Sequence, residues 1–201
     1  MRRLLYLSFL VLCLPGPTSG QSDLDITLIN NTTAEQQTRA QIQRLAREYD
    51  LTPFIFTRSI VVDETTIPHS HPVLTLHTRH LKDDELLLST FVHEQAHWWT
   101  TAQHNVAAMN AALSELRSAF PQIPVGAPEG ALNEGSNYLH LVVVYLEYRG
   151  IRELLGEMKA RQVMEFWSTD HYTWIYKTVL ARSRDIGNIL AKHQLIPPRR
   201  P

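Results

Sequence analysis

Cysteine is all but missing from this chain: among 201 residues the one example is Cys13. A single thiol builds no disulfide framework, so a stable fold needs a packed core. Any metal ligand must then be a histidine or a carboxylate. An excess of charge is missing too, with 19 Lys and Arg against 20 Asp and Glu. No basic patch of the kind that tracks a phosphate backbone is present, and nucleic acid is not an expected partner. Repeats, low-complexity tracts and obvious linkers are absent. What the chain does have is histidine, ten in all, and several of them are closely spaced.

The first residues read as a targeting segment. Arg2 and Arg3 precede the apolar run Leu4 to Leu14, interrupted by Ser8; Pro15-Gly16-Pro17 breaks it, and Thr18-Ser19-Gly20 offers small residues for cleavage before Gln21. This is the pattern of a secretory signal peptide over residues 1–20. The run is short for a permanent span, which needs about 20 apolar residues. Leu12 is large where lipid-attachment sites carry a small residue before the cysteine. The expectation is an exported protein, periplasmic or extracellular, with no stable membrane insertion after cleavage. Removing Arg2 and Arg3 from the 19 basic residues leaves 17 against 20 acidic ones. Residues 21–201 suit one domain with a sizeable core.

A few strands followed by many helices predict an α+β fold. Residues 23–28 alternate loosely as a short strand. Thr32-Thr33-Ala34-Glu35 fits a capping box, and Ile42, Leu45, Ala46 and Tyr49 follow at helical spacing. Phe54 to Val62 and Pro72 to Thr78 are rich in β-branched and aromatic residues and read as strands. Asp83-Asp84-Glu85 places negative charge at a helix start, and that helix is expected over about residues 84–103. A second helix is expected over Val106–Ala119. A Pro/Gly loop over 120–130 separates it from a third, about 131–149. Helical pattern resumes over 151–166 and 172–192.

The expected helix at 84–103 carries His93-Glu94-Gln95-Ala96-His97. Residues i and i+4 share a helix face. His93 and His97 can therefore hold one ion, with Glu94 placed to reach a water on it. The reading is a zinc site. A catalytic zinc needs three protein ligands and one open position, so a third must come from downstream. Asn133-Glu134-Gly135, at the start of the third helix, makes Glu134 the first choice. His140 is the chief rival, because it interrupts the apolar run Leu139 to Leu146. On an ideal helix it lies about 120° around from Glu134, so the two do not face one ion together. Glu147, seven residues after His140, shares its face; Glu147 and Glu129 are further alternatives. The plainer reading of His140 is a buried histidine satisfied by a carbonyl or a carboxylate.

His93-Glu94-Gln95-Ala96-His97-Trp98 followed by Leu132-Asn133-Glu134-Gly135 resembles the gluzincin metallopeptidases, the group of thermolysin and the aminopeptidase N family. Tyr138 and Leu146-Glu147-Tyr148 add to the likeness, which covers two short segments of the chain. It implies a zincin-like fold, in which a small N-terminal sheet precedes a mainly helical region. It also implies zinc on His93, His97 and Glu134, Glu94 as general base, and a polypeptide substrate. The chain departs from the aminopeptidases: the interval from His97 to Glu134 is longer, and the Gly-x-Met-Glu-Asn segment that anchors a free amino terminus is absent.

Other residues complete the candidate set. His171 and Tyr172 open the last helical stretch and are candidate catalytic donors to an oxyanion, against the plainer reading of Tyr172, Ile175, Tyr176 and Val179 as a core-facing stripe. His69, His71, His77 and His80 raise the question of a second metal. The strand Val73 to Thr78 is a candidate edge for an extended peptide to pair with, His77 then lining the cleft. Trp98 and Trp99 read as packing residues. Two functions are carried forward: a zinc-dependent metallopeptidase, and an exported binding or structural protein stapled by zinc.

Overall fold

The computed structural model describes residues 24–198. The expected signal segment 1–20 and the end of the proline-arginine tail lie outside the described residues. Strand β1 (Asp25–Leu28) is followed by helix α1 (Thr33–Glu48), β2 (Ser59–Val62) and β3 (Leu74–Leu76). The helices α2 (Asp84–Thr101), α3 (Val106–Ala119), α4 (Glu134–Leu155), α5 (Glu157–Asp170) and α6 (Thr173–Lys192) complete the order. The fold is α+β, mostly helical, with a small sheet on the N-terminal side. No described helix is long and apolar enough to cross a membrane.

The sheet is parallel throughout, in the order β1-β2-β3, with Ile26 opposite Ile60 and Val61 opposite Thr75. Helix α1 makes the first crossover. Its cap is half of a capping box: Thr32 Oγ1 accepts from the Glu35 amide at 3.3 Å. The Glu35 carboxylate does not turn back to the cap. It accepts from the amides of Asn30 at 2.9 Å and Glu64 at 3.3 Å, and so joins the loops that leave β1 and β2.

Two strands are shorter than the sequence predicts, and the motif helix is the reason for one. Phe56 and Thr57, expected in β2, donate their amides to Gln95 Oε1 at 2.7 and 2.9 Å, and Gln95 Nε2 donates to the Thr57 carbonyl at 2.8 Å. Those backbone groups are spent on a side chain of α2, so strand pairing begins only at Ser59. Gln95, inside the motif, is fully buried and fastens the helix to the sheet entry.

The second crossover, residues 63–73, contains no helix. It folds back on the outer edge of β3, where His69 and Thr75 exchange both backbone hydrogen bonds, at 3.2 and 2.8 Å. The edge offered as a peptide-pairing surface is therefore closed at Thr75. Trp98 pins the same segment to α2: its indole donates to the Ser70 carbonyl at 2.8 Å, and its ring stacks on His71 at 4.5 Å. Trp99 donates to the Leu195 carbonyl. Both tryptophans pack the fold together.

Helix α2 begins at a true cap, Asp83 accepting from the Leu86 amide at 3.1 Å, and packs most extensively on α4. Gly150 permits that approach, since a Cβ there would meet Val92 Cγ1 at 2.8 Å and the Phe54 ring at 3.1 Å. Phe91, Leu88, Leu141, Val144 and Ile186 fill the interior between the helices. Gly156, at φ 85°, takes a left-handed conformation and separates α4 from α5. Helix α4 consequently runs past the expected end at 149.

Candidate metal centre

Three imidazoles meet where α2 crosses α4. Ligand atoms of His93, His97 and His140 all lie within 4.8 Å of one another. The ring centroids are 5.2 Å apart for His93–His97, 5.0 Å for His97–His140 and 5.7 Å for His93–His140. An ion bound at about 2.0–2.1 Å from each nitrogen can gather such a set. Among the described residues this is the one group of three or more such side chains close enough to hold a metal.

Glu134, the first choice for a third ligand, does not join them. Asn133 caps α4, its side chain accepting from the Ser136 amide at 2.9 Å, so Glu134 is the first helical residue. There an acid is favoured by the helix dipole. Its side chain is 62% exposed and faces Arg117 at 4.0 Å. Glu129 is also exposed. His140 lies almost two turns further along, on the face turned to α2.

The ring orientations are set by the neighbours. His93 Nδ1 is 2.8 Å from Glu147 Oε2. A carboxylate accepts, so Nδ1 carries the hydrogen and Nε2 keeps its lone pair. His140 Nδ1 donates to the Ser136 carbonyl at 2.7 Å, which frees its Nε2 likewise. Supporting bonds of this kind fix the tautomer of metal-ligating histidines. Glu147, 1% exposed, takes two further donors. These are the Tyr176 hydroxyl at 3.0 Å and the Ser89 hydroxyl, which itself accepts from the Trp167 indole at 3.0 Å. Glu147 is thus a buried acceptor with three donors and not a free ligand. Exchanging it for glutamine turns one oxygen into a donor and leaves a partner unmet. We expect Glu147→Gln to weaken metal binding about 10–100-fold, read with added zinc by competition with a chromophoric chelator.

Burial shapes the charge of the cluster. It lowers the pKa of His97 to about 2, with His93 adding to the effect, and that of His140 to about 4. Both rings are neutral, as ligands must be, at physiological pH. For His93 burial works in the same direction, but the Glu147 carboxylate outweighs it and raises the pKa. Burial raises Glu94 to about 7, against the pull of His93 and His69.

The cluster opens on a cleft of about 510 Å³ that also takes in Glu94, His171 and Tyr172. Tyr172 packs its ring 4.5 Å from His140 and has φ 47°, a left-handed conformation rare for a bulky residue. The Pro/Gly loop holds this turn, because Thr173 and Trp174 donate their amides to the carbonyls of Pro128 and Glu129 at 2.9 and 3.1 Å. His171 Nδ1 and Asp170 Oδ2 are 2.9 Å apart, while Asp170 Oδ1 accepts from Arg79. Both expected catalytic donors therefore share the cleft with the motif. Tyr176, from the stripe read as core, is wholly buried on Glu147.

The other histidines do not assemble. His77 is turned away from the cleft, its Nε2 on the Glu64 carbonyl and its Nδ1 accepting from the Arg79 amide. His71 contacts Ser70 and Thr101. His69 and His80 line the cleft, but no second metal group forms among the described residues.

Against known proteins, the chain matches no family model, no curated sequence and no solved structure. The functional reading stands on the geometry of these residues.

Proposed function

We propose that the protein is a zinc-dependent hydrolase that cleaves polypeptide. The observation that carries this reading is the convergence of His140 with the two motif imidazoles, beside Glu94, at the floor of an open cleft. Three imidazole nitrogen donors suit zinc, and three protein ligands with an open side are the arrangement of catalytic sites. A zinc-stapled structural protein calls for a closed fourth position, and the cleft speaks against it.

His93, His97 and His140 would hold the zinc, which when bound would supply a positive centre that acidifies water and polarises a carbonyl. Glu94 takes the proton of the attacking water on its carboxylate and returns it to the leaving amine. Tyr172 and His171 are the donors assigned to the negative charge that develops on the carbonyl oxygen. Asp170 orients the His171 ring, and the loop bonds at Thr173 and Trp174 hold Tyr172. The relation to gluzincins is confined to His93, Glu94 and His97, since the third position is a histidine.

Metal removal is the test. The purified protein is expected to carry one zinc per chain by elemental analysis and to cleave labelled casein. Dialysis against a chelator should remove metal and cleavage together, and one equivalent of zinc should restore both. Cleavage that persists in metal-free protein would sink the proposal.

A further inference from the structure

The wall of the cleft formed by the crossover segment has few hydrogen-bonding groups to spare. His69 spends its amide and carbonyl on Thr75, the Ser70 carbonyl is taken by Trp98, and the Ser70 hydroxyl contacts His71. Pro68 has no amide hydrogen. Ile67, 78% exposed, adds apolar surface to the same wall. One side-chain polar atom here has no partner among the described residues: Nε2 of His69.

The ring of His69 is held ready for use. Its backbone is bonded twice to β3, and its Nδ1 lies 2.9 Å from the Ile67 carbonyl. A carbonyl only accepts, so Nδ1 carries the hydrogen, and in the neutral ring Nε2 is an acceptor. A lone side-chain acceptor beside apolar surface gives a pocket orientation and selectivity. His69 and Glu94 line the same cleft.

We propose that His69 is a substrate-binding residue whose Nε2 accepts a hydrogen bond from an amide N–H of the substrate. This rests on the hydrolase reading of the same cleft and narrows it to substrates that present N–H beside the bond being cut. Peptides do so; simple esters do not. The closed edge of β3 gives the side chain this task, because main-chain pairing is unavailable at Thr75.

The test uses the zinc-loaded full protein and two probes, a dipeptide hydroxamate and the same compound methylated on its amide nitrogen. Wild type is expected to bind the N–H compound about tenfold tighter, the value of one good hydrogen bond of about 1.4 kcal/mol. His69→Phe keeps the ring shape without an acceptor and should bind both probes alike. His69→Gln keeps an acceptor and should retain most of the preference. A preference that survives in His69→Phe is steric and overturns the proposal, as does its absence from wild type. Failure of either hydroxamate to bind zinc-loaded protein overturns it as well. Discrimination by His69 without casein cleavage would leave this contact standing and remove the hydrolase reading.

Discussion

Glu94→Gln is expected to keep its zinc and to lose peptide hydrolysis by about a thousandfold, the middle of the range for a positioned general base. Glutamine matches glutamate in size, so the buried position between His93 and Gln95 is filled as before. Glu94 is not one of the three clustered imidazoles, and the metal stoichiometry should not change. What is lost is the ability to take up and return a proton. The same group sets a pH dependence. Burial raises Glu94 to about 7, with His93 and His69 opposing that rise; a bound dication would oppose it further. In the proposed mechanism the ionised form is the active one. Activity is therefore expected to fall as the pH drops through a limb lying below about 7. The measurements are elemental analysis and casein cleavage across pH for wild type and variant. A variant that cleaves at the wild-type rate contradicts the assignment of Glu94.

Local signals were the legible part of this structure. The cap at Thr32, the acidic helix start at Asp83-Asp84 and the helix over Val106–Ala119 follow from local signals; the Asn133 cap was not read, and that helix begins later than the expected 131. The strands were less legible, since their limits depend on distant partners. Nothing between Phe54 and Ser59 reveals that Gln95 will take the amides of Phe56 and Thr57. The parallel crossover at 63–73 lacks a helix, so no period in the sequence announces it.

At the site, the half written inside one turn of helix was readable and the half assembled across helices was not. His93 and His97 follow from i, i+4 spacing. The third position was assigned to Glu134 on the likeness of Asn133-Glu134-Gly135 to a known motif, but there the acid serves a helix start. A better signal lay in the same helix. His140 and Glu147 are the polar interruptions seven residues apart on a helix whose middle is otherwise apolar. Burying two such residues is costly unless each finds a partner. On α2, His140 meets the imidazoles of His93 and His97 and Glu147 meets Ser89 and His93, while Tyr176 of α6 and the Ser136 carbonyl complete the bonds of Glu147 and His140. The roles of Ser89, Trp167 and Tyr176 could not be read from spacing, because they reach Glu147 from three different helices: Ser89 from α2, Tyr176 from α6, and Trp167 of α5 through Ser89.

The comparison of His140→Ala with Glu134→Ala separates the two third-ligand assignments. Loss of a partner that merely supports a ligand costs about 10–100-fold in metal affinity, and loss of one ligand of three should exceed that. His140→Ala is therefore expected to purify without stoichiometric zinc and without casein cleavage. Glu134→Ala should hold zinc like wild type and change stability by no more than about 1 kcal/mol, the scale of a charge at a helix terminus. His140 is itself buried, so stability alone is a poor judge. The zinc-dependent part of the melting temperature is the better one. A ligand present at a hundred times its dissociation constant stabilises the folded state by about 2.7 kcal/mol. Wild type and Glu134→Ala should show this increment on adding zinc, and His140→Ala should show none, whatever its metal-free melting point. The opposite pattern would return the third position to Glu134. It would also require the start of α4 to move toward His93 and His97, against the cap at Asn133 that now holds it in place.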